Sequence, residues 1–190
     1  MMAPTREGGP RVWPLRAACE RFWPMPIIPH EDSRSPAPAS GVERLLFMLV
    51  GGVVATIALE ISGQAIAPAL GFERFVPEAL SASALQAVFG PIDNLLLYGK
   101  IVHWISGVLL YPAVCLFIVL PVFKRAAPGL SWVFGAVAYG VVLWVIALYF
   151  VAHLVSGNPP FLSFTGVTWV ALAGYLLYSL TLGAVLLPRT

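Results

Sequence analysis

Four polar side chains interrupt the long apolar segments of this sequence: Glu60, Gln64, His103 and His153. Ionisable residues are costly to bury, so in membrane segments they usually face protein or water and mark functional sites. Glu60 and Gln64 stand four residues apart, which places them on one face of a helix within hydrogen-bonding reach. Two imidazoles can ligate a haem b iron from both faces, or bind a metal ion together with a carboxylate. His103 and His153 are therefore the candidate cofactor-binding residues.

The same residues also have a structural interpretation. A histidine suits a membrane interface because its ring is apolar while its nitrogens reach water. A buried glutamate must be neutral, paired or hydrated. A functional Glu60 conducts protons, acts as the counter-ion of a partner subunit or serves as a ligand, whereas a structural Glu60 is protonated and hydrogen-bonds Gln64 or Ser106. The structural interpretation of these residues predicts no cofactor, no metal site and no catalytic residue. Haem b is the alternative, and a Soret band in the visible spectrum of the purified protein would reveal it.

Four apolar segments position these side chains: residues 45–66, 101–123, 130–152 and 164–187. Each is close to the ~20 residues that a helix needs to cross a hydrocarbon layer of ~30 Å. Backbone polar groups find no partner in lipid, so such segments have to be helical. Charged residues make up only 11% of the chain, against ~25% in soluble domains. The sequence predicts an all-α integral membrane protein, a four-helix bundle surrounded by the lipid bilayer.

The spacing also brings the polar side chains to one side of the membrane. Glu60 lies about fifteen residues into the first segment, or roughly 22 Å from its start at 1.5 Å per residue. His103 lies near the start of the second segment, and His153 stands at the end of the third. Because consecutive segments run in opposite directions, all of these residues approach the same membrane face.

Residues 1–43 differ from the rest of the chain. They are rich in proline and arginine and show no sustained hydrophobic periodicity. Such a stretch cannot bury enough apolar surface to offset the entropy of ordering, so we predict a disordered cytoplasmic tail before a four-span domain over residues 44–190. Residues 65–67 resemble a signal-peptide cleavage site, but the polar region before them is too long, and Glu60 and Pro68 disfavour cleavage.

Basic residues predict the orientation of the segments. Arg44 precedes the first segment, Lys124 and Arg125 form the turn between the second and third, and Arg189 follows the fourth. Positively charged flanks favour the cytoplasmic side of a membrane. We therefore expect both termini and the 124–125 turn in the cytoplasm. The loop between the first two segments contains basic residues as well, but acids accompany them.

That loop is long enough to form a helix of its own. Pro77 and Glu78 are typical of a helix start, because proline is tolerated in the first turn and an acid favours the positive end of the helix dipole. Gly90 and Pro91 are typical of a helix end. We predict a short helix from about Pro77 to Phe89, lying in the outer membrane interface.

Small residues at helical spacing predict close packing between the segments. Gly51 and Gly52 stand four residues before Ala55 and Thr56, and Ser179 stands four residues before Gly183. Small side chains let two backbones approach and gain dispersion contacts that lipid does not supply. Two prolines within the second segment, at positions 112 and 121, are expected to distort its helix.

Several classes of function find no support in the sequence. The formal net charge is only +2, and no basic stripe indicates nucleic-acid binding. Two cysteines give neither a disulfide framework nor a metal-binding spacing. The sequence contains no phosphate-binding loop, no HExxH or CxxC motif and no nucleophile elbow. These observations favour a role without catalysis.

Residue patterns in the last three segments resemble a family of bacterial four-helix inner-membrane proteins with a domain of unknown function. The patterns are Val102-His103-Trp104, the stretch from Gly107 to Pro112, the stretch from Gly135 to Trp144 and the stretch from Gly174 through Gly183. The resemblance covers residues 44–188. Family members often have a histidine in the fourth helix, where this chain has Tyr175. The resemblance implies an inner-membrane location and no assigned activity.

We accordingly expect a non-catalytic accessory, assembly or scaffold component of a larger membrane complex, or a homo-oligomer. Two alternatives stay open at this point. One is a small electron-transfer subunit with haem b held by His103 and His153. The other is a bundle that conducts protons or a solute and uses Glu60.

Overall fold

The computed structural model describes residues 40–186, and this part of the chain is helical without strands. Four helices are long and apolar enough to cross a membrane: α1 (Gly41–Ala69), α3 (Leu95–Ala126), α4 (Trp132–Val155) and α5 (Gly166–Leu186). A shorter helix, α2 (Pro77–Phe89), lies between α1 and α3, and a left-handed turn (Pro160–Phe164) precedes α5. The all-helical, four-span architecture agrees with the sequence prediction. Residues 1–39 of the predicted disordered tail lie outside the described residues, and its last four residues form the cap and first turn of α1.

The first helix begins earlier than the apolar segment because polar residues cap it. The backbone N–H of Glu43 donates to the Ser40 side chain, and the backbone N–H of Ser40 donates to the Glu43 carboxylate at 2.7 Å. This reciprocal arrangement satisfies two backbone donors that a helix start leaves unpaired. Helix α3 also begins earlier than its apolar segment, at Leu95 rather than at residue 101. The residue before it, Asn94, has a left-handed backbone conformation.

Wide π-helical turns interrupt the α-helical geometry at four places in the described chain; one is Ile146–Val155 of α4, and the other three lie just before a proline. Those three are Ser62–Ile66 before Pro68, Ser106–Leu110 before Pro112 and Cys115–Val119 before Pro121. Proline has no backbone N–H, so the carbonyl four residues earlier loses its usual helical partner and the turn widens. For Pro112 that carbonyl belongs to Val108, which lies in the middle of its wide turn. The predicted distortion of the second segment thus takes this form.

The small residues of α1 pack against two different helices. A Cβ atom added at Gly51 would lie 3.1 Å from a methyl group of Leu182 in α5. A Cβ atom added at the neighbouring Gly52 would lie 2.5 Å from the backbone oxygen of Val108 in α3. Thr56, four residues after Gly52, also packs against α3. A Cβ atom added at Gly107 of α3 would lie 2.5 Å from the Thr56 hydroxyl oxygen. Adjacent stripes of small residues therefore place α1 between α5 and α3.

A second small-residue contact joins α5 to α4. A Cβ atom added at Gly140 would lie 2.5 Å from the hydroxyl oxygen of Ser179, and one added at Gly183 would lie 3.0 Å from the Trp132 ring. The side-by-side order of the four long helices is therefore α3, α1, α5 and α4. This order leaves α3 and α4 separated by a gap along much of their length.

Helix α2 covers one end of the gap between α3 and α4. A Cβ atom added at Gly99 of α3 would lie 2.6 Å from the Glu78 backbone oxygen and 2.7 Å from the Ala82 Cβ, so α2 lies directly against α3. Farther along, the Tyr139 hydroxyl of α4 donates to the Tyr111 backbone oxygen of α3 at 2.6 Å and bridges the gap. We call the covered end the α2 end and the opposite one the Lys124 end.

Candidate functional site: an intramembrane Glu–His pair

The contact between α1 and α3 brings Glu60 and His103 together near the α2 end. Because Gly52 and Thr56 fix the relative position of these helices, Glu60, one turn after Thr56, lies opposite His103. The carboxylate Oε1 lies 3.5 Å from the imidazole Nε2, and the two side chains are 22% and 7% exposed. This separation fits an ion pair but is long for a hydrogen bond.

Two other buried polar atoms surround the Glu–His pair. The indole Nε1 of Trp104 and the hydroxyl oxygen of Thr56 are both buried without a hydrogen-bond partner in the described part of the chain. The pair atoms, Glu60 Oε1 and His103 Nε2, also lack a partner by hydrogen-bond geometry. Unpaired buried polar atoms are rare in folded proteins and call for an explanation. The Trp104 indole lies close enough to act on the Glu60 carboxyl group, so Glu60, His103 and Trp104 form one polar cluster between α1 and α3 rather than ordinary helix packing.

Two charged residues lie close enough to act electrostatically on the pair. Glu78 at the start of α2 and Lys100 of α3 both interact with Glu60 and with His103. Lys100 is exposed, whereas Glu78 is half-buried. Sequence reasoning missed both as members of the site. It interpreted Glu78 only as a helix-dipole residue, and no local signal indicated that α2 packs on α3 beside the pair.

Gln64 has a partner on a different helix. Its side-chain nitrogen donates to both carboxylate oxygens of Glu78, at 3.3 and 3.1 Å, rather than to Glu60. A Glu60–Gln64 bond is one of the options that the spacing within a single helix leaves open. Gln64 lies in the wide turn before Pro68, and Glu78 enters from another element. Gln64 therefore links α1 to α2 at the edge of the Glu–His pair.

His153 lies in a separate environment. Its Nδ1 is 2.7 Å from the Asn158 backbone oxygen, and its ring centroid is 5.5 Å from that of Tyr149. These contacts hold the turn after α4. The structure thus brings together Glu60 and His103, whereas His153 forms no hydrogen bond or ring contact with either in the described chain. Haem ligation by His103 and His153 stays a prediction.

The described part of the chain contains no cluster of side chains that could ligate a metal ion. Within residues 40–186, no group of three or more His, Cys, Asp or Glu side chains could hold a metal ion. The Glu–His pair by itself can exchange a proton, because a carboxylate accepts one and an imidazole both accepts and donates one. Proton exchange is therefore the chemistry that this arrangement supports.

Fold and site together define a class: a multi-pass helical membrane protein with four candidate spans and a buried carboxylate–imidazole pair between two of them. Comparison of the chain with protein families, curated proteins and solved structures found no match.

Proposed function

We propose that this protein is a non-catalytic membrane component that takes up and releases a proton at the Glu60–His103 pair. The observation behind the proposal is the 3.5 Å approach of two ionisable side chains inside the membrane-spanning helices. Burying such groups is costly, so a purely structural contact would be served better by apolar side chains of the same size. If the pair exchanges a proton, its function requires ionisable side chains in spite of the free-energy cost of burying them.

The surrounding residues favour exchange with one side of the membrane only. Gln64, Glu78 and Lys100 lie between the pair and the surface at the α2 end. Towards the Lys124 end, the helices contain no acid, histidine, lysine or arginine in residues 45–59, 104–123, 132–145 and 173–186. The hydroxyl groups of Tyr139 and Tyr178 lie in this region, and both donate to backbone oxygens of α3. We therefore favour a one-sided site over the conducting bundle that Glu60 alone suggested.

The charge distribution supports an orientation for this site. Arg44, Lys124 and Arg125 flank the helices at the Lys124 end, whereas acids accompany the basic residues at the α2 end. By the positive-inside rule, we propose that both termini and the 124–125 turn are cytoplasmic in a bacterial inner membrane. Helix α2 then lies in the outer interface, and the pair exchanges its proton with the outside.

Infrared spectroscopy of the protein in proteoliposomes tests the proposal. A protonated carboxyl group gives a carbonyl stretching band that a carboxylate lacks. We expect this band to respond when the pH is changed on the α2 side and not when it is changed on the opposite side. Glu60→Gln should abolish the response, and His103→Gln should shift its midpoint, because the imidazole interacts with the carboxyl group.

A matched control and a clear contrary result complete the experiment. Asp93→Asn alters an exposed acid in the loop before α3 and should leave the response unchanged. The proposal is overturned if the Glu60→Gln variant keeps the band. An equal response to pH on both sides, together with a net proton flux that Glu60→Gln stops, would establish conduction instead.

A second function, as an accessory component of a larger membrane complex, is favoured by the open part of the α3–α4 gap. Between the Tyr111–Tyr139 bridge and the Lys124 end, a groove of about 520 Å³ runs between these helices. Its lining is apolar apart from the two tyrosines, and it includes the exposed small residue Ala138, whereas Gly135 is buried against the Phe123 ring. Small residues let another backbone approach closely in a membrane, so we propose a transmembrane helix of a partner protein as the occupant.

Filling the groove tests this second proposal. Ala138→Trp places a large side chain in the groove, and we expect it to remove a partner that co-purifies with the wild-type protein in mild detergent. Val141→Trp changes an exposed residue of α4 outside the groove and should retain that partner. Equal recovery of the partner with both variants would place its contact elsewhere and contradict the proposal.

A further inference from the structure

A cavity of about 260 Å³ lies in the covered part of the α3–α4 gap. Helix α2 forms its roof along most of its length, α3 and α4 form its walls, and Tyr175 of α5 closes it from below. His103 is part of the wall. The imidazole of the Glu–His pair therefore stands between Glu60 and this cavity, whereas Glu60 itself is not part of the lining.

The cavity contains polar groups that the protein leaves unpaired. His103 is buried; its Nε2 faces Glu60 at 3.5 Å, and its Nδ1 forms no hydrogen bond within residues 40–186. The hydroxyl groups of Tyr111 and Tyr175 likewise have no hydrogen-bond partner among residues 40–186. These three groups can donate or accept hydrogen bonds. A ligand with oxygen atoms at its head would satisfy groups that would otherwise remain unpaired at a cost.

The charge of the lining restricts the ligand. No aspartate, glutamate, lysine or arginine is among the residues that line the cavity. A phospholipid head group brings a phosphate, which needs a positive charge or several N–H donors in a buried place. The lining therefore favours a neutral ligand whose head forms hydrogen bonds without charge.

The size of the cavity restricts the ligand further. A cavity of ~150 Å³ holds a benzene ring, and sites for drug-sized ligands begin at ~300 Å³. The volume of about 260 Å³ thus fits one substituted six-membered ring but not the fused rings of a sterol. Val88 and Phe89 at the end of α2 line the cavity and are 62% and 71% exposed, so an apolar tail can leave past them into lipid.

We infer that this cavity binds the ring of a quinol, a neutral membrane-soluble amphiphile with ring hydroxyl groups and an apolar tail. The ring oxygens lie against His103, Tyr111 and Tyr175, and the tail passes Val88 and Phe89. This inference rests on the proposed function in one respect, because it assigns a ligand to the proton-exchanging site through its histidine. Binding itself needs no change in the protonation of Glu60.

Binding of decylhydroquinone to the protein in lipid nanodiscs tests the inference. We expect one molecule bound per protein, and we expect decylbenzene, which has the same tail and a ring without oxygens, to bind at least tenfold more weakly. Tyr175→Phe keeps the ring contact with Phe75 but removes one hydroxyl, and it should weaken decylhydroquinone binding about tenfold. Ala84→Phe fills the cavity from α2 and should abolish binding.

Two variants make the outcomes distinguishable. Ala87→Phe adds the same ring on the exposed side of α2, outside the cavity lining, and should bind like the wild type. Glu60→Gln should also bind decylhydroquinone, so a lost infrared response with retained binding separates the two proposals. Equal binding of decylbenzene, or unchanged binding in both Ala84→Phe and Tyr175→Phe, would overturn the quinol site.

Discussion

Gly52→Ala should strongly destabilise the protein, although alanine is the better helix former. An added Cβ atom would lie 2.5 Å from the Val108 backbone oxygen, 2.8 Å from a Pro112 ring carbon and 2.9 Å from the Val108 Cα. Backbone atoms cannot rotate away, so α1 and α3 have to separate. Overpacking costs about 1–3 kcal/mol and sometimes more, while alanine gains only about 1 kcal/mol over glycine in a helix. Because the nearest atoms belong to the backbone and to a proline ring, we expect the upper end of that range, a net loss of about 2 kcal/mol.

The other glycines of α1 supply matched controls for this variant. At Gly51 the nearest atoms belong to the flexible side chains of Leu182 and Val185, at 3.1 and 3.3 Å, so Gly51→Ala should change stability little. At Gly41 no atom lies within 4 Å, so Gly41→Ala should be neutral or slightly stabilising. Thermal unfolding in detergent checks the order Gly41, Gly51, Gly52. Equal melting temperatures for the three variants would contradict the proposed α1–α3 contact.

The number of long helices can be predicted from the sequence, but not all of their ends. Hydropathy predicts four helices because backbone groups in lipid must pair within each helix. Pro77 and Gly90 predict the limits of α2, since both act on the local backbone. Helix ends outside the apolar segments are harder, because hydropathy gives no signal for the Ser40–Glu43 cap that begins α1 at Gly41.

Which helices meet at the small residues is not predictable from their spacing. Gly51 and Gly52 are adjacent and chemically identical, yet one faces α5 and the other faces α3. The choice depends on the positions of three helices that are distant in sequence. For the same reason, the sequence identifies Gly52 as a packing position but not its contact with the Val108 carbonyl, which Pro112 deprives of a helical partner.

The residues of the candidate site can likewise be identified from the sequence, but their contacts cannot. Glu60 and His103 are identifiable because ionisable residues are rare in apolar segments. Their pairing depends on the register between α1 and α3, which the Gly52–Val108 contact sets. The bond between Gln64 and Glu78 depends on where α2 lies, so an argument within α1 alone could offer Gln64 no partner other than Glu60. His153 likewise bonds to Asn158 in its own turn, a loop geometry that hydropathy does not encode.

Removing only one member of the Glu–His pair should cost more than removing both. His103→Phe keeps an aromatic ring of similar size but leaves the Glu60 carboxylate without its partner. An unpaired buried polar group costs about 1–3 kcal/mol, and more if charged. Glu60 is 22% exposed, and Lys100 acts on it electrostatically, so hydration and this second cation limit the cost. We expect His103→Phe to lower the free energy of unfolding by about 1–3 kcal/mol.

The double variant Glu60→Leu with His103→Phe should recover this loss. Replacing a whole buried ion pair by apolar side chains of similar volume is often neutral or stabilising by about 1–4 kcal/mol, because neither charge then has to leave water. The coupling energy between the two substitutions should therefore reach about 0.5–3 kcal/mol, the range for residues in direct contact. Thermal or denaturant unfolding of the four proteins in one detergent measures it.

A parallel cycle with an exposed acid supplies the comparison. Asp93→Asn combined with His103→Phe should be additive, because Asp93 is exposed and forms no contact with the pair in the described chain. Additive losses for Glu60→Leu and His103→Phe would mean that the two side chains do not interact. Recovery in that double variant, together with loss of the pH-dependent infrared response, would show that the protein keeps a pair that its stability does not require. That combination is expected of a site selected for proton exchange rather than for packing.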